Sequence, residues 1–514
     1  GYNAGTSITT NTNCTFIGYQ AGMDADAANT SPVSCTYIGS RAGENIDDGT
    51  GANTAVGYAA LFGATSNANT AANNVAVGVD ALFDVTSGGD NVGVGKSALE
   101  SITTGGSNVA VGSGAGDGWS TQSQNTVVGH DAASNSGAGN ITAVGYKALE
   151  DCSSDGAVAL GHSAGMNITS GAGNTAVGYQ ALMTEDTGPY STAIGHSALK
   201  IQDNANGKNT AVGYNSQIST SAGQQNTSVG NLSMQLIGGS SANNNVAIGN
   251  LSMQSSGTIT DNVAANNTAV GADSLKAITL GLQNVAVGSS AGVGITTANK
   301  CVLLGSYAGD AITVTNSATS DGTVAVGYEA LTSLTSGIKN TAVGYQALYS
   351  NSLRSDTTAI GYQALYTVAG SNRNTAVGSL AGYSSAGNDC VYVGRNAGQF
   401  TGDADGTTAI GKDALMSLTS NKITGVNNTA IGRSSGTNIV GAGHENTLLG
   451  ALSGATLTTG SDNTLIGKSA DTDDATAINQ TVIGHSTTGV ADNSVTIGNA
   501  DVTAVYMAQD SGAT

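Results

Sequence analysis

Asn174-Thr175-Ala176-Val177-Gly178-Tyr179-Gln180-Ala181-Leu182 is the best-formed copy of a unit that recurs along the chain, with close copies beginning at Asn53, Asn209, Asn340 and Asn374. Its glycine, taken as position zero, follows an aliphatic residue in copy after copy: Val56-Gly57, Val177-Gly178, Val343-Gly344, Ile360-Gly361. Position minus one is nearly always Val, Ile or Leu, minus three is Thr or Val, and minus two between them is usually Ala. Alternation at period two marks a short strand and excludes a helix of 3.6 period. Gly at zero reaches backbone angles closed to other residues, and a spacer rich in Gly, Ser and Asn follows, so the chain turns and returns.

Counted on this glycine there are about 29 units, most of roughly 16 to 18 residues, the length expected of solenoid coils. Stacking such coils sets equal positions above one another at about 4.8 Å and pairs the strands in parallel. The expected fold is all-β: an elongated parallel β-solenoid or β-roll, with a repeated shaft over 1–491 and a terminal unit and exit segment over 492–514. A lone coil cannot bury enough apolar surface to order itself, so the coils must fold together.

Composition narrows the function. The chain has 514 residues, 10% of them charged and 4% aromatic, with 75 Gly and 2 Pro, which is not the composition of a compact globule. The 39% of hydrophobic residues recur at fixed spacing, which argues against disorder. A formal charge of -20 argues against nucleic acid, because phosphate binding draws on clustered Lys and Arg, and the 15 here lie scattered along the sequence. No apolar run reaches the roughly 18 residues of a membrane-spanning helix, so membrane insertion is not expected. The sequence opens inside the repeat, at Gly1-Tyr2-Asn3-Ala4-Gly5, and lacks an initiator Met, so the N-terminal part of the natural protein is expected to lie outside it.

The units also align with one another. Asn dominates position minus four (Asn74, Asn91, Asn108, Asn125, Asn267, Asn284), where a stacked amide can donate to one neighbour and accept from the next, and where turn propensity is an equal explanation. Bulk at minus two excludes Leu at plus four: Phe16 goes with Gly22, Tyr37 with Gly43, and Tyr392 with Gly398. Every Leu at plus four, such as Leu182, accompanies Ala or Gly at minus two, so the two positions compete for one close-packed space. Val56, Val177, Val343 and Ile360 at minus one are read as a repeat core of their own on the opposite strand face. Two dry zones per narrow coil imply that one of them packs against partner chains, most simply two further copies in a parallel homotrimer.

The units Asn-Thr-Ala-Val-Gly-x-x-Ala and Asn493-Ser494-Val495-Thr496-Ile497-Gly498-Asn499 resemble the head repeat of YadA-type trimeric autotransporter adhesins, over nearly the whole chain, and are similar to repeats in phage tail fibres. The resemblance implies a left-handed parallel β-roll, three chains side by side, and a place on a bacterial or virion surface, attaching to host matrix or other cells. These coils are longer than that family's usual ones, so its loop shapes and ligand surfaces do not carry over.

Chemical motifs are sparse. Gly93-Val94-Gly95-Lys96-Ser97 has the ending of a phosphate loop, but Asp90 stands where its first glycine is required. His130, His162, His196 and His485 all follow the position-zero glycine and are dispersed along the shaft, which argues against a metal site within one chain. Cys14, Cys35, Cys301 and Cys390 occupy the minus-four slot, and Cys14 and Cys35 fall in adjacent coils, within range of a disulfide or as buried thiols. No catalytic residue, cofactor or metal is expected. The leading expectation is an extracellular structural or adhesive fibre, whose contacts are a cell-surface receptor or glycan. An autotransporter adhesin head is the alternative, and a glycan-active or ice-binding solenoid a more remote one.

Overall fold

The computed structural model describes residues 1–7, 13–24, 34–46, 51–65, 69–185, 187–202, 207–220, 223–237, 239, 241–255, 262–312, 322–335, 337–350, 352–353, 355–367, 372–417 and 420–505. Among them there is no helix, and the chain forms two compact units, Gly1–Asn266 and Asn267–Thr514. Each is a parallel β-solenoid. In the first, three-residue strands run from Thr15–Ile17 to Val246–Ile248, and each lies beside the next without shift: Ala176 is opposite Ala159 on one side and Ala193 on the other. In the second, strands from Thr268–Val270 to Val495–Ile497 pair the same way. A small second parallel sheet in the first unit joins Asn167–Ile168, Thr184–Glu185, Ile201–Gln202 and Ser219–Thr220.

The position-zero glycine makes the coil compact. Gly178 has φ 129°, which side-chain-bearing residues rarely adopt, and a Cβ added there would lie 2.5 Å from the carbonyl oxygen of Gly195 in the next coil. Beyond it the turn alternates handedness, with Gln180 at φ 51° and Leu182 at φ 48°. This alternation aims successive amides along the stack: Gln180 N–H donates to His162 in the preceding coil and Leu182 N–H to Ala198 in the following one, both at 3.0 Å. A left-handed Leu opposes folding by about 1–2 kcal/mol, offset by its backbone bond and its burial.

The interior is built from Ala176, Ala181, Leu182 and Asn174 and their equivalents, all fully buried. The minus-one residues read as repeat core lie elsewhere. Val56, Val177 and Val343 are only partly buried and Ile360 is 40% exposed, because the coil is narrow and its inward strand face has room for Ala. A further inward row stands at plus seven, with Ile46, Val85, Ile102, Trp119 and Ile168.

The minus-four asparagines line the same interior and satisfy the backbone. Asn91 Oδ1 accepts the Asn108 amide N–H at 3.1 Å and its Nδ2–H at 3.0 Å, while Asn91 Nδ2 donates to the Gly105 carbonyl at 2.9 Å. In the second unit Asn267 does the same, its Oδ1 accepting from the Asn284 amide and Nδ2 and its Nδ2 donating to the Gly281 carbonyl. Turn propensity alone does not place an amide in a fully buried ladder.

Close packing at plus four is visible atom by atom. A Cβ on Gly22 would stand 2.5 Å from Phe16 Cε1, one on Gly43 2.5 Å from Tyr37 Cδ2, and one on Gly398 would overlap the Tyr392 ring. The competition also crosses coils: a Cβ on Gly382 would meet Tyr392 of the next coil at 2.6 Å, and one on Gly292 would meet Leu303 at 2.7 Å. Tyr392 itself is fully buried, its hydroxyl held by Ser385 and Thr401 at 2.8 Å each. Gly398→Leu is therefore expected to destabilise the second unit by roughly 2 to 5 kcal/mol in urea unfolding, from overpacking and left-handed strain together. Adding Tyr392→Ala recreates the Ala359–Leu365 combination and should recover more than half of that loss. Simple additivity of the two substitutions would show that they do not share a space.

Candidate functional site

Period-two alternation turns minus three, minus one and plus one away from the buried Ala row, so every coil presents three outward positions. The minus-one row is aliphatic and wet, with Leu160 50% exposed and Leu449 45% in the second unit, while minus three mixes Thr with Val, Val158 at 40% among them. Isolated apolar side chains on a surface need no explanation, whereas contiguous rows mark an interaction face.

The plus-one row changes character along the chain. In the first unit it carries an uninterrupted ladder of alternating rings, His130, Tyr146, His162, Tyr179, His196 and Tyr214, with centroids 4.9 to 5.7 Å apart. Three of the four histidines expected to be dispersed thus fall in every second coil, with a tyrosine ring between neighbours, so no two of these three are placed to share a metal. In the second unit Tyr328, Tyr345 and Tyr362 stack at 5.5 and 5.4 Å, and Tyr349, Tyr366 and Tyr383 form a parallel stack at plus five, 5.0 and 5.1 Å apart. Beyond the tyrosines the plus-one row becomes basic, with Arg395, Lys412 and Arg433. The recurrence of ring and cationic residues one place after the glycine was the available signal.

The glycine-rich segment ending in Lys96-Ser97 is ordinary coil. Gly95 N–H donates to Val77 at 2.8 Å and Ser97 N–H to Val79 at 2.9 Å, so these amides bind the neighbouring coil and do not converge on a phosphate. A residue group absent from the sequence reading is His444, Glu445 and Asp462, whose ligand atoms lie within 4.8 Å of one another on two adjacent coils. His444 Nδ1 sits 2.8 Å from the Ala442 carbonyl. Imidazole and two carboxylates can take a divalent cation, and all three are at or near the surface.

Cys14 and Cys35 are in adjacent coils but are not bridged, and all five cysteines are thiols. Stacking in register points both side chains the same way about 4.8 Å apart, whereas a disulfide needs Cβ atoms that converge to about 3.8 Å. Instead the Cys35 amide donates to Cys14 Sγ at 3.3 Å. Burial pushes the Cys152 and Cys390 thiols up, which makes them unreactive. Titration of the denatured chain without reductant should count all five thiols, and a count two short would restore the Cys14–Cys35 bridge.

Asp117, at plus five and half-buried, stands close to a second carboxylate, Asp131. Burial pushes the Asp117 carboxyl above its ordinary range, with repulsion from Asp131 and Glu100 adding to it and backbone N–H groups opposing. A carboxyl raised in the folded state contributes stability that is present at low pH and lost as pH rises through its folded pKa. Asp117→Asn should therefore raise the urea midpoint at neutral pH, and the advantage should vanish in acid. An equal gain at both pH values would remove electrostatics as the cause.

No protein-family model matches the chain, and no curated protein matches it in sequence. Among the described residues, no helix is long and apolar enough to cross a membrane.

Proposed function

We propose that this protein is a structural and adhesive fibre of a cell or virion surface, built from three parallel copies of the chain, its coil left-handed. The carrying observation is the contiguous outward aliphatic row at minus one in both units, with Leu160, Ile194, Ile360 and Leu449 each at least 40% exposed. Covering that row coil after coil requires a partner whose own side chains repeat at the same rise of about 4.8 Å. A second copy of the chain meets that condition by construction, and a threefold ring closes without leaving an aliphatic face in water. Among the described residues the interior is mainly Ala, Leu and Asn, which suits a mechanical and attaching role. Its contacts with other cells are then made by what the outward rows and spacers present.

Light scattering or sedimentation of the full chain is expected to give three times the chain mass, and electron micrographs thin rods. Leu160→Lys with Ile194→Lys should lower the assembled mass while leaving the β-rich circular dichroism unchanged, since both side chains are outside the coil. A wild-type chain that stays single at micromolar concentration would overturn the reading.

A further inference from the structure

Fifteen Lys and Arg stand against 35 Asp and Glu in this chain, yet the second unit gathers several into one line. Arg395, Lys412, Arg433, Lys468 and His485 are all the residue after a position-zero glycine, all exposed, interrupted only at Ala451. The stack places them directly above one another: their strands pair in register from Val393 with Ile410 through to Ile466 with Ile483. The next residue's amide donates to the plus-one carbonyl of the preceding coil, as Asp413 does to Arg395 and Ser486 to Lys468, both at 2.9 Å.

Stability does not account for this line. Like charges opposite one another on paired strands are destabilising. Neutralisation is within reach elsewhere in the same unit, where Arg373 grips Asp389 with two bonds of 2.6 and 2.9 Å. In the basic line only Lys412 has a carboxylate nearby, Asp413 at 3.5 Å, and Arg395, Arg433 and Lys468 form no ion pair among the described residues. Cations held in a row against their mutual repulsion point to an anionic ligand that extends along the row.

We propose that this line binds a linear anionic polysaccharide, carrying a carboxylate or sulfate on its successive sugars, along the stack direction. Apart from the coil of Ala451, the line offers one basic side chain per coil, at a rise of about 4.8 Å. Nucleic acid is denser, with a charge every 3.4 Å along one strand, and its single-stranded binders interleave aromatic rings that this stretch of the row lacks. A polymer charged once per sugar or per second sugar suits the wider spacing, and Arg395 and Arg433 can each take a carboxylate or sulfate with two parallel N–H bonds. The proposal rests on the surface-attachment reading and names its ligand class.

The test uses the full chain with fluorescent alginate (carboxylate) and dextran sulfate (sulfate) at low salt, and a single-stranded oligonucleotide of matched total charge. Wild type should bind one or both polysaccharides, with affinity falling as salt rises, and Arg395→Ser/Arg433→Ser/Lys468→Ser together should lose at least tenfold. Lys339→Ser, outside the line, should match wild type. Absence of polysaccharide binding, or a triple variant that binds as well as wild type, overturns the proposal, and an oligonucleotide bound as tightly overturns the polysaccharide assignment. The mass of the triple variant in solution reports separately on the three-copy fibre.

Discussion

Each coil's backbone at position zero rests directly on that of the next, at the distance a backbone hydrogen bond allows and with no space for a side chain between them. Gly178 shows this: the carbonyl of Gly195 occupies the place its Cβ would take. Once that contact repeats, coil length ceases to matter to the sheet. Spacers differ in length from coil to coil, and the strands still meet residue for residue, as Thr192 does with Thr175 and Thr210.

In-register stacking also decides which polar groups can be buried. An amide side chain in a column of identical amides has both a donor and an acceptor at the stacking distance, so Asn74, Asn91 and Asn108 bury completely while serving the backbone of the adjacent coil. Cysteine occupies the same slot where the strand is bulky. The Cys390 and Cys301 amides still donate to the preceding asparagine at 2.8 and 2.9 Å, because the acceptor belongs to the neighbour.

The same rule converts single positions into rows on the surface. A residue that would be one exposed side chain on a globule becomes one rung of a stripe. Small preferences at plus one thereby become a ring ladder from His130 to Tyr214 and a cationic line beginning at Arg395. The stack contributes order and spacing, the rows contribute chemistry, and neither needs a cavity.

The strands, the turning glycine, the asparagine column and the competition between Tyr392 and Gly398 were legible in the sequence, because each is a local pattern that the repeated units align for the reader. Which strand face turns inward was not. Alternation at period two has no sign, and Val177 is more hydrophobic than Ala176. The narrowness of the closed coil, a tertiary property, selects Ala for the interior and leaves the larger aliphatics outside. The same holds for the plus-seven row of Ile102 and Trp119, the conflict of Gly382 with the next coil's Tyr392, and the gathering of distant cations. Those relations join residues one or more coils apart, across spacers of unequal length, and only the stacking contact that sets the register brings them together.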